Sequence, residues 1–427
     1  MTSNIQTIQL QIRFLTKQEQ YAVPDIPFAV DSTITTDELN SLVNQLIKEN
    51  SKEIYKKIEF DFLAGDHFIR TDLGQHIASR GLSSETVIDV EYVERLPAPE
   101  PQDCLLHDDW VSAVDVCNDW ILSGCYDYTV HLWSKKGKHK LTIPGHTKAV
   151  KAVSWISENE DSATFVSVSH DQTALLWEWN MKDNVVECVH VCRGHARGIE
   201  CVGVSTDKTK FATGAWDNML KIWTTSMEEN FGEDEDGETD SKRPKKEGKS
   251  QVRTPKMTLK GHREAVSGLC WLNSSELVTS SWDHTLRTWD ISVGASVSQI
   301  SGNKAFFDVN YSSLSGLLIT GSADRHVRLY DPRSTEGGIC KSTFTSHDAW
   351  VMCVRWSPTD ERLFISGSHD AKLKLWDIRS PSVPLFDMVG HEDKILCCDW
   401  TFPDLIVSGG TDNTLRLYKT SDFKSLS

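Results

Sequence analysis

Residues 167–177 read SVSHDQTALLW, which places a serine four residues before Asp171 and a tryptophan six residues after it. The same spacing of a hydroxyl, a carboxylate and an aromatic ring occurs seven times between Cys104 and Phe423. The seven aspartates are Asp127, Asp171, Asp217, Asp283, Asp324, Asp370 and Asp412. Consecutive aspartates are 41 to 46 residues apart, except for one gap of 66 residues after Asp217. A fixed period of this length indicates a repeat protein.

A histidine stands 20 to 25 residues before the aspartate in six of the repeats, and four of these histidines follow a glycine. This Gly-His to Trp-Asp signature resembles the WD-repeat family. The resemblance implies a mainly β fold, in which each repeat forms one four-stranded blade of a seven-bladed propeller. It also implies that His, Ser/Thr, Asp and Trp form a buried hydrogen-bonded set within a blade. The four complete sets are His146, Ser167, Asp171 and Trp177; His195, Thr213, Asp217 and Trp223; His262, Thr279, Asp283 and Trp289; and His347, Ser366, Asp370 and Trp376.

Three repeats depart from this signature. Repeat five has Asn303 where the histidine is expected, and it ends in Tyr330 instead of tryptophan. Repeats one and six have Leu106 and Ser346 in place of the glycine before the histidine. We expect these three blades to be held together less tightly than the others.

His146, Ser167 and Asp171 also have the residue types of a Ser-His-Asp hydrolase. A catalytic triad needs one exposed nucleophile beside one oxyanion hole, whereas this combination recurs at regular spacing along the chain. The sequence contains no Gly-rich phosphate loop, no His-Glu-x-x-His motif and no Cys-x-x-Cys pair. We therefore expect no enzymatic activity, no catalytic residue and no cofactor.

The net charge and the cysteine content of the chain argue against some classes of binding partner. The net charge of −16 argues against a surface that binds the phosphate backbone of duplex DNA, although a local basic patch could still contact RNA. The 11 cysteines and the absence of a signal peptide or apolar span predict a soluble intracellular protein with reduced thiols and no membrane partner. Cys188, His190, Cys192 and His195 could form a metal knuckle, but a strand with alternating small residues explains their spacing better.

Residues 1–94 lack the repeat and follow a different pattern. Ile8, Leu10, Ile12 and Phe14 alternate with polar residues, which predicts a strand. The predicted elements are a strand at residues 8–14, a second through Tyr21 and Val23, a helix from Thr36, strands at 60–63 and 67–70, a helical turn at 71–81 and a strand at 86–93. This order is that of a ubiquitin-like α+β grasp domain. No C-terminal diglycine follows its last strand, so we expect docking and not conjugation.

The remaining boundaries follow from composition. Residues 95–101 predict a Pro-rich linker. The propeller is expected at residues 102–420, with residues 102–106 supplying the outer strand that blade seven lacks. The long gap predicts a charged disordered loop at residues 226–256, acidic and then basic. Within it, Lys242, Arg243, Pro244, Lys245 and Lys246 fit a nuclear import signal, and a solvated charge run explains them equally well.

The whole chain also resembles the WD-repeat ribosome-biogenesis proteins of the pescadillo complex. The resemblance includes Ile12-Arg13-Phe14, residues 60–63, residues 81–85, Val90-Glu91-Tyr92 and residues 108–112. It implies a scaffold in large-subunit (60S) assembly and pre-rRNA processing, located in the nucleus, nucleolus and nucleoplasm. It implies four partners, which are the block-of-proliferation WD protein, pescadillo, the AAA ATPase midasin and the pre-60S particle. Direct RNA contact is left open.

The same resemblance singles out Glu85. By composition alone it is a solvated turn residue. Its position in the family implies that it binds, in trans, the Mg²⁺ or similar divalent ion in the adhesion site of midasin. A hard cation with one open coordination position accepts a carboxylate oxygen, so the chemistry is consistent with this role.

A function of a different class is a substrate receptor for a cullin-type ubiquitin ligase. Residues 376–379 (WDIR) resemble the Trp-Asp-x-Arg boxes of such receptors, and residues 330–333 (YDPR) resemble them more loosely. Asp and Arg are also common in the turn after a blade tryptophan, which favours a structural explanation.

Overall fold

The computed structural model describes residues 9–50, 57–227, 251–333 and 339–420. The chain divides into two compact units, one extending to Ala98 and the other beginning at Pro99. The unit boundary therefore falls within the predicted linker. No helix among the described ranges is long and apolar enough to cross a membrane.

The N-terminal unit is one mixed sheet covered by a helix. Its elements are β1 (Gln9–Leu15), β2 (Pro27–Asp31), α1 (Thr36–Asn50), β3 (Phe60–Ala64), β4 (His67–Phe68), α2 (Leu73–Arg80) and β5 (Ile88–Glu94). The strand order is β2-β1-β5-β3-β4, with β1 and β5 parallel. This is the order of a ubiquitin-like grasp domain, in agreement with the predicted fold class.

Local sequence explains how α1 begins and where it packs. The Thr35 N–H donates to Glu38 Oε2 at 2.8 Å, and the Glu38 N–H donates to Thr35 Oγ1 at 3.4 Å, which is a reciprocal cap. Leu39, Val43 and Ile47 then face the sheet and join its apolar core. This spacing along one helix face is the periodicity that the sequence showed.

The second strand is not where the sequence predicted it. Glu19–Tyr21 forms a 3₁₀ turn, and the strand that pairs with β1 is Pro27–Asp31. The Tyr21 ring packs at 5.3 Å from the Phe60 ring, so its apolar character serves the core edge and not a strand face. Pro24 has no N–H to donate to a ladder, which disfavours a strand through this segment.

The second unit contains seven four-stranded blades. Blades one to four are β7 (Val111–Cys117), β8 (Trp120–Cys125), β9 (Thr129–Ser134) and β10 (His139–Pro144); β11 (Val150–Glu158), β12 (Ser162–Ser169), β13 (Thr173–Asn180) and β14 (Val185–Arg193); β15 (Ile199–Val204), β16 (Lys210–Ala215), β17 (Met219–Thr224) and β19 (Met257–Lys260); and β20 (Val266–Trp271), β21 (Glu276–Ser281), β22 (Thr285–Asp290) and β23 (Ala295–Ser301). One further strand, β18 (Gln251–Arg253), joins the edge of blade two.

Blades five to seven complete the ring. Their strands are β24 (Phe306–Tyr311), β25 (Leu318–Ser322), β26 (Val327–Tyr330) and β27 (Cys340–Phe344); β28 (Val351–Trp356), β29 (Leu363–Ser368), β30 (Lys372–Asp377) and β31 (Phe386–Val389); and β32 (Ile395–Phe402), β33 (Leu405–Gly410), β34 (Thr414–Lys419) and β6 (Glu100–Leu106). The first strand of this unit thus belongs to the last blade. Within each blade the strands are antiparallel neighbours, apart from β18.

The closing strand is longer than predicted. β6 pairs with β34 from Leu106 opposite Thr414 to Glu100 opposite Lys419. It therefore begins two residues before the predicted start at Gln102. Pro101 lies opposite Tyr418, where the register shifts. An irregular position tolerates a residue that has no N–H to donate.

The predicted disordered loop is too long at its C-terminal end. Gln251, Val252 and Arg253 pair in parallel with His190, Val191 and Cys192 at the outer edge of blade two. An edge strand has unpaired backbone N–H and C=O groups that can bind a nearby extended segment. Charge composition gives no indication of such pairing. The five residues of the predicted import signal lie outside the described residues.

Polar side chains on the innermost strands connect neighbouring blades. Asp115 accepts from the Trp155 N–H at 2.7 Å, and Asp399 accepts from the Val116 N–H at 3.2 Å. Asp115 therefore connects blade one to blade two, and Asp399 connects blade seven to blade one. Burial, together with the nearby Asp399 charge, raises the pKa of Asp115 to about 7.

The buried Asp115 carboxylate between blades one and two gives a prediction about how stability depends on pH. A carboxyl whose folded pKa exceeds its ordinary value of 3.8 favours folding when protonated, so its contribution is lost as the pH rises from 3.8 towards 7. Asparagine keeps an acceptor for the Trp155 N–H and carries no charge. We expect Asp115→Asn to melt about 2–4 °C above the wild type at pH 8, with a smaller gain at pH 5.

Asp308 provides the matched control, because its carboxylate is paired with the Arg355 guanidinium at 2.6 Å. Asp308→Asn should lower the melting temperature at pH 8. An Asp115→Asn variant that melts below the wild type at pH 8 would contradict the inference that the buried Asp115 charge destabilises the fold at this pH.

Candidate functional site

The repeated His, Ser/Thr, Asp and Trp residues meet inside the blades. In blade two, His146 Nδ1 lies 2.9 Å from Asp171 Oδ2, and His146 Nε2 lies 2.8 Å from Ser167 Oγ. Trp177 Nε1 donates to the same Ser167 oxygen at 2.8 Å. Although burial alone would raise it, the hydrogen bonds from His146 and Thr173 hold the pKa of Asp171 well below its usual range.

The His–Asp and His–hydroxyl bonds are also formed in blades three, four, six and seven, and we call these four and blade two the complete blades. The His–Asp and His–hydroxyl distances are 2.9 and 2.8 Å in blade three, 3.0 and 2.7 Å in blade four, 2.8 and 2.7 Å in blade six, and 2.9 and 2.8 Å in blade seven. Ser167, Thr213, Thr279 and Ser366 are fully buried. A buried hydroxyl that already binds two side chains is not an accessible nucleophile, so these sets stabilise the blades.

The departures do not all weaken a blade. Blade six forms the complete set around His347 despite Ser346, which corrects the expectation for that blade. In blade five, Asp324 forms an ion pair with the Arg328 guanidinium, four residues further on. In blade one, His107 binds Ser123 at 2.8 Å, but Asp127 contacts Thr129 and His131 instead of His107.

In blades three and four the residue immediately before the repeat aspartate is a tryptophan, and these two side chains begin a series of ring contacts. Trp216 contacts Trp282 with ring centroids 4.9 Å apart, and Trp282 contacts Phe307 at 5.9 Å. The series continues from Phe307 to Trp350 at 5.4 Å and from Trp350 to His369 at 5.6 Å. Aromatic side chains of blades three to six therefore form one continuous surface.

Charged groups extend this surface to blade one. Trp216 Nε1 donates to Glu200 Oε2 at 2.8 Å, and Lys151 Nζ lies 3.1 Å from Glu200 Oε1. Lys151 also donates to the Tyr126 hydroxyl at 3.1 Å, and the Tyr126 ring lies 5.2 Å from that of Trp110. We refer to the whole set as the aromatic belt, which comprises Trp110, Tyr126, Trp216, Trp282, Phe307, Trp350 and His369.

The innermost strands of all seven blades line a central channel with a cavity of about 150 Å³, and Trp282 and Phe307 of the belt are among the lining residues. Lys151–Glu200 and Arg355–Asp308 are its ion pairs. Burial alone would raise the pKa of Glu200, but the Lys151 charge and the hydrogen bonds from His170 and Trp216 lower it to about 2. The Glu200 carboxylate binds Trp216 and the Lys151 ammonium binds Tyr126, so this ion pair restricts the positions of those two belt side chains.

The loops around the belt have opposite charges on its two sides. Because the His–Asp bonds join the loop before each innermost strand to the turn after the second strand, both lie on one face. On blades two to five the exposed charges are mostly basic, namely Lys148, Arg197, Arg263, Lys304 and Arg325. On blades six, seven and one they are mostly acidic, namely Asp348, Glu392, Asp393, Asp108 and the half-buried Asp109.

Glu85 lies in an exposed turn between α2 and β5. The helix ends at Gly81, whose φ of 66° is left-handed, and the Leu82 side chain then packs against the core. The Glu85 N–H donates to Ser83 Oγ at 3.3 Å, while its carboxylate has no hydrogen bond or ion pair to another described residue. The structure therefore presents Glu85 as an accessible carboxylate without a competing partner among the described residues.

The two remaining sequence candidates have structural explanations. Arg379 binds the Asp377 carboxylate through Nη2 at 2.7 Å, which closes the turn after Trp376. Cys188, His190 and Cys192 lie along β14 and form no three-ligand group there. The aromatic belt was not found from the sequence, although one signal was available, since an aromatic residue or histidine precedes five of the seven repeat aspartates.

Known proteins match both units. The NLE (NUC135) domain profile matches residues 10–77, and the WD domain, G-beta repeat profile matches residues 101–134, 137–178, 186–224, 253–290, 294–331, 338–377 and 382–419. The chain is 54% identical over 412 residues to a ribosome biogenesis protein WDR12 homolog of Culex quinquefasciatus, covering 96% of each chain. The chain belongs to this family.

Other relatives in the WDR12 family give the same result. Homologs from Aedes aegypti and Anopheles gambiae are each 52% identical over 412 residues, covering 96% of this chain and 96% and 95% of theirs. Membership gives the chain a role in ribosome biogenesis. The seven WD repeats and these relatives indicate a non-enzymatic protein, which agrees with the buried state of every complete His–Asp set.

The buried sets predict a stability cost and no loss of turnover. Asp171→Ala removes the acceptor of His146, Thr147 and Thr173. We expect a loss of about 1–3 kcal/mol in the free energy of unfolding, measured by denaturant titration. Asp161 of the same blade is an exposed partner of Lys182, so Asp161→Ala should change it by less than about 1 kcal/mol. Equal losses in both variants would contradict the role of the set.

Proposed function

We propose that this chain is a scaffold for large-subunit (60S) assembly and pre-rRNA processing, and that it docks through the aromatic belt. The partner at the belt is the propeller of the block-of-proliferation WD protein, which joins pescadillo. Two features support this proposal, namely membership in a ribosome biogenesis family and the continuous aromatic surface around the channel mouth.

The belt has the physical properties of a binding surface. Trp110, Tyr128 and Trp350 on this face keep 44%, 49% and 49% of their surface exposed, which is costly in water unless a partner covers it. Tryptophan and tyrosine carry a large share of the energy at protein interfaces. The ring contacts and ion pairs already restrict these side chains, so binding would lose less conformational entropy.

The charge distribution around the belt adds orientation. A partner face with acidic groups opposite blades two to five and basic groups opposite blades six, seven and one would be complementary to it. Such complementarity selects one rotation of the partner about the channel axis and accelerates association at low salt. A purely apolar surface would leave that rotation undetermined.

We also propose that Glu85 is the residue grasped by midasin. A divalent ion in the midasin adhesion site would bind the Glu85 carboxylate in trans, and the ATPase would then pull on this bond to remove the complex from the pre-60S particle. The exposed turn and the absence of a competing partner for the carboxylate among the described residues support the proposal. Mg²⁺ prefers such hard oxygen ligands.

Nuclear, nucleolar and nucleoplasmic localisation is part of this proposal. It draws on the family role and on the basic run Lys242, Arg243, Pro244, Lys245 and Lys246. A receptor role in a cullin-type ligase has no comparable support, because the Arg379 guanidinium is already bound to Asp377 of its own box.

The docking surface can be tested with one aromatic residue. Trp350→Ala should weaken binding of the full-length protein to the block-of-proliferation propeller by about tenfold or more, measured by calorimetry. Val293 is 70% exposed in the turn between β22 and β23, on the opposite face, and Val293→Ser should leave affinity unchanged. Retained affinity in Trp350→Ala, or a loss in Val293→Ser, would reject the belt as the interface.

The midasin contact has a separate test. In the full-length protein, Glu85→Ala should abolish binding to the midasin adhesion domain in the presence of Mg²⁺, and Glu85→Asp should weaken it because the carboxylate is set back by one methylene. Glu19→Ala removes another exposed acid of the same unit and should bind normally. Undiminished binding of Glu85→Ala would exclude this residue as the ligand.

A further inference from the structure

Blade one brings together three side chains that can bind a metal ion. Cys125, Asp127 and His131 each offer one donor atom, and these atoms all lie within 4.8 Å of one another. Within the part of the chain that the structure describes, no other group of three or more such residues meets in this way. The Cys125 and His131 side chains are buried, whereas Asp127 is half-buried in the turn between them.

No other blade has these residues at the same places. The residue two before the repeat aspartate is Ser169, Ala215, Ser281, Ser322, Ser368 or Gly410 in blades two to seven, where blade one has Cys125. The residue four after it is Leu175, Lys221, Arg287, Arg328, Lys374 or Arg416, where blade one has His131. Blade one therefore differs from the repeat at two positions, and both differences introduce metal-binding atoms.

The distance between two of the donors suits a shared ion. Asp127 Oδ2 lies 3.3 Å from His131 Nε2, which is longer than the roughly 2.7–2.9 Å of a charged hydrogen bond. Two ligands at about 2.0–2.2 Å from a tetrahedral Zn²⁺ are separated by roughly 3.3–3.6 Å. The other carboxylate oxygen accepts from the Thr129 N–H at 2.8 Å and from Thr129 Oγ1 at 2.7 Å, so Oδ2 is held in a fixed direction.

A fourth possible donor atom, a ring nitrogen of His107, lies beside this group. The His107 ring centroid is 4.9 Å from that of His131, and His107 is buried. Its Nε2 binds Ser123 Oγ, whereas its Nδ1 has no side-chain hydrogen-bond partner among the described residues and has only the Leu105 backbone nearby. In the complete blades this nitrogen binds the aspartate, so blade one leaves a buried imidazole nitrogen unsatisfied.

We propose that blade one holds a structural Zn²⁺ ion through Cys125 Sγ, Asp127 Oδ2 and His131 Nε2, with His107 Nδ1 beside the fourth position. A thiolate, a carboxylate and imidazole nitrogens are ligands that Zn²⁺ accepts in four-coordinate structural sites. The ion would take over the role that the His–Asp bond has in the complete blades. This inference is independent of the proposed partners.

Binding involves proton transfer and no redox change. The Cys125 S–H bond breaks, an S–Zn bond forms, and the proton leaves to solvent. The contact from Cys125 Sγ to the Asp109 carbonyl oxygen at 3.3 Å is then lost. In the metal-bound form the ring proton of His131 would lie on Nδ1, which is 3.3 Å from Thr142 Oγ1, and the bond to the ion would replace the contact of Nε2 with Thr129 Oγ1 at 2.9 Å.

The chain itself suggests variants that remove ligands without removing the fold. Cys125→Ser copies Ser169 and Ser281 of blades two and four, and His131→Arg copies the Asp324–Arg328 pair of blade five. Full-length protein treated with a chelator should bind one equivalent of Zn²⁺ by calorimetry. Each variant should bind Zn²⁺ at least about 100-fold more weakly, a larger effect than second-shell changes usually give.

Two further measurements locate the ion. Co²⁺ in place of Zn²⁺ should give a thiolate charge-transfer band in the wild type and in Cys188→Ser, a cysteine variant of β14, but not in Cys125→Ser. Zn²⁺ should raise the melting temperature of the wild type and leave that of His131→Arg unchanged. The proposal is overturned if the wild type binds no Zn²⁺, if both ligand variants bind it like the wild type, or if Cys188→Ser loses it.

Discussion

The propeller depends on one requirement, that polar groups buried inside each blade must be paired. In the complete blades a histidine binds the aspartate through Nδ1 and a hydroxyl through Nε2, and in blades two, three, four and six a tryptophan N–H reaches the same hydroxyl. These bonds connect the loop before the innermost strand to the turn after the second strand. The residue that precedes the aspartate is therefore held in a fixed position on one face, while its identity is free to vary. In blades one, three, four and six this residue belongs to the aromatic belt, as Tyr126, Trp216, Trp282 and His369.

Blades one and five show that the aspartate can be paired in another way. In blade five, which lacks the histidine, Asp324 pairs with Arg328. In blade one, which has the histidine, Asp127 contacts His131 instead. In both cases the partner is four residues after the aspartate, on the next strand. Among the described residues, the blade-five arrangement leaves the Thr320 hydroxyl without a hydrogen bond, whereas the blade-one arrangement leaves His107 Nδ1 without one. An unsatisfied buried nitrogen beside a thiol and a carboxylate is the reason that blade one differs in chemistry and not only in sequence.

Ring closure introduces a second constraint. The outer strand of blade seven comes from the start of the propeller unit, so the first and last segments of the unit must pair before the fold is complete. The innermost strands of blades seven and one carry Asp399 and Asp115, whose carboxylates accept backbone N–H groups across the blade boundaries. Burial raises the pKa of both residues. The connections between these blades therefore contain a charge cost, which the boundary between blades five and six offsets at Asp308 with Arg355 and avoids at Asn310.

The sequence by itself determined the features that depend on spacing within one repeat or one helix. The interval from Ser167 to Asp171 to Trp177, repeated along the chain, was enough for the number of blades and the blade cores. The Thr35–Glu38 cap and the apolar residues of α1 were equally local. The errors arose where another segment decided the outcome: Tyr21 packs on Phe60, and Gln251–Arg253 pairs with the edge of blade two. The aromatic belt combines side chains from different blades, and the group around His131 depends on which way Asp127 turns. Only the tertiary structure decided these features, because contacts between blades and the choice between competing buried partners follow from packing in three dimensions and not from the period of the chain.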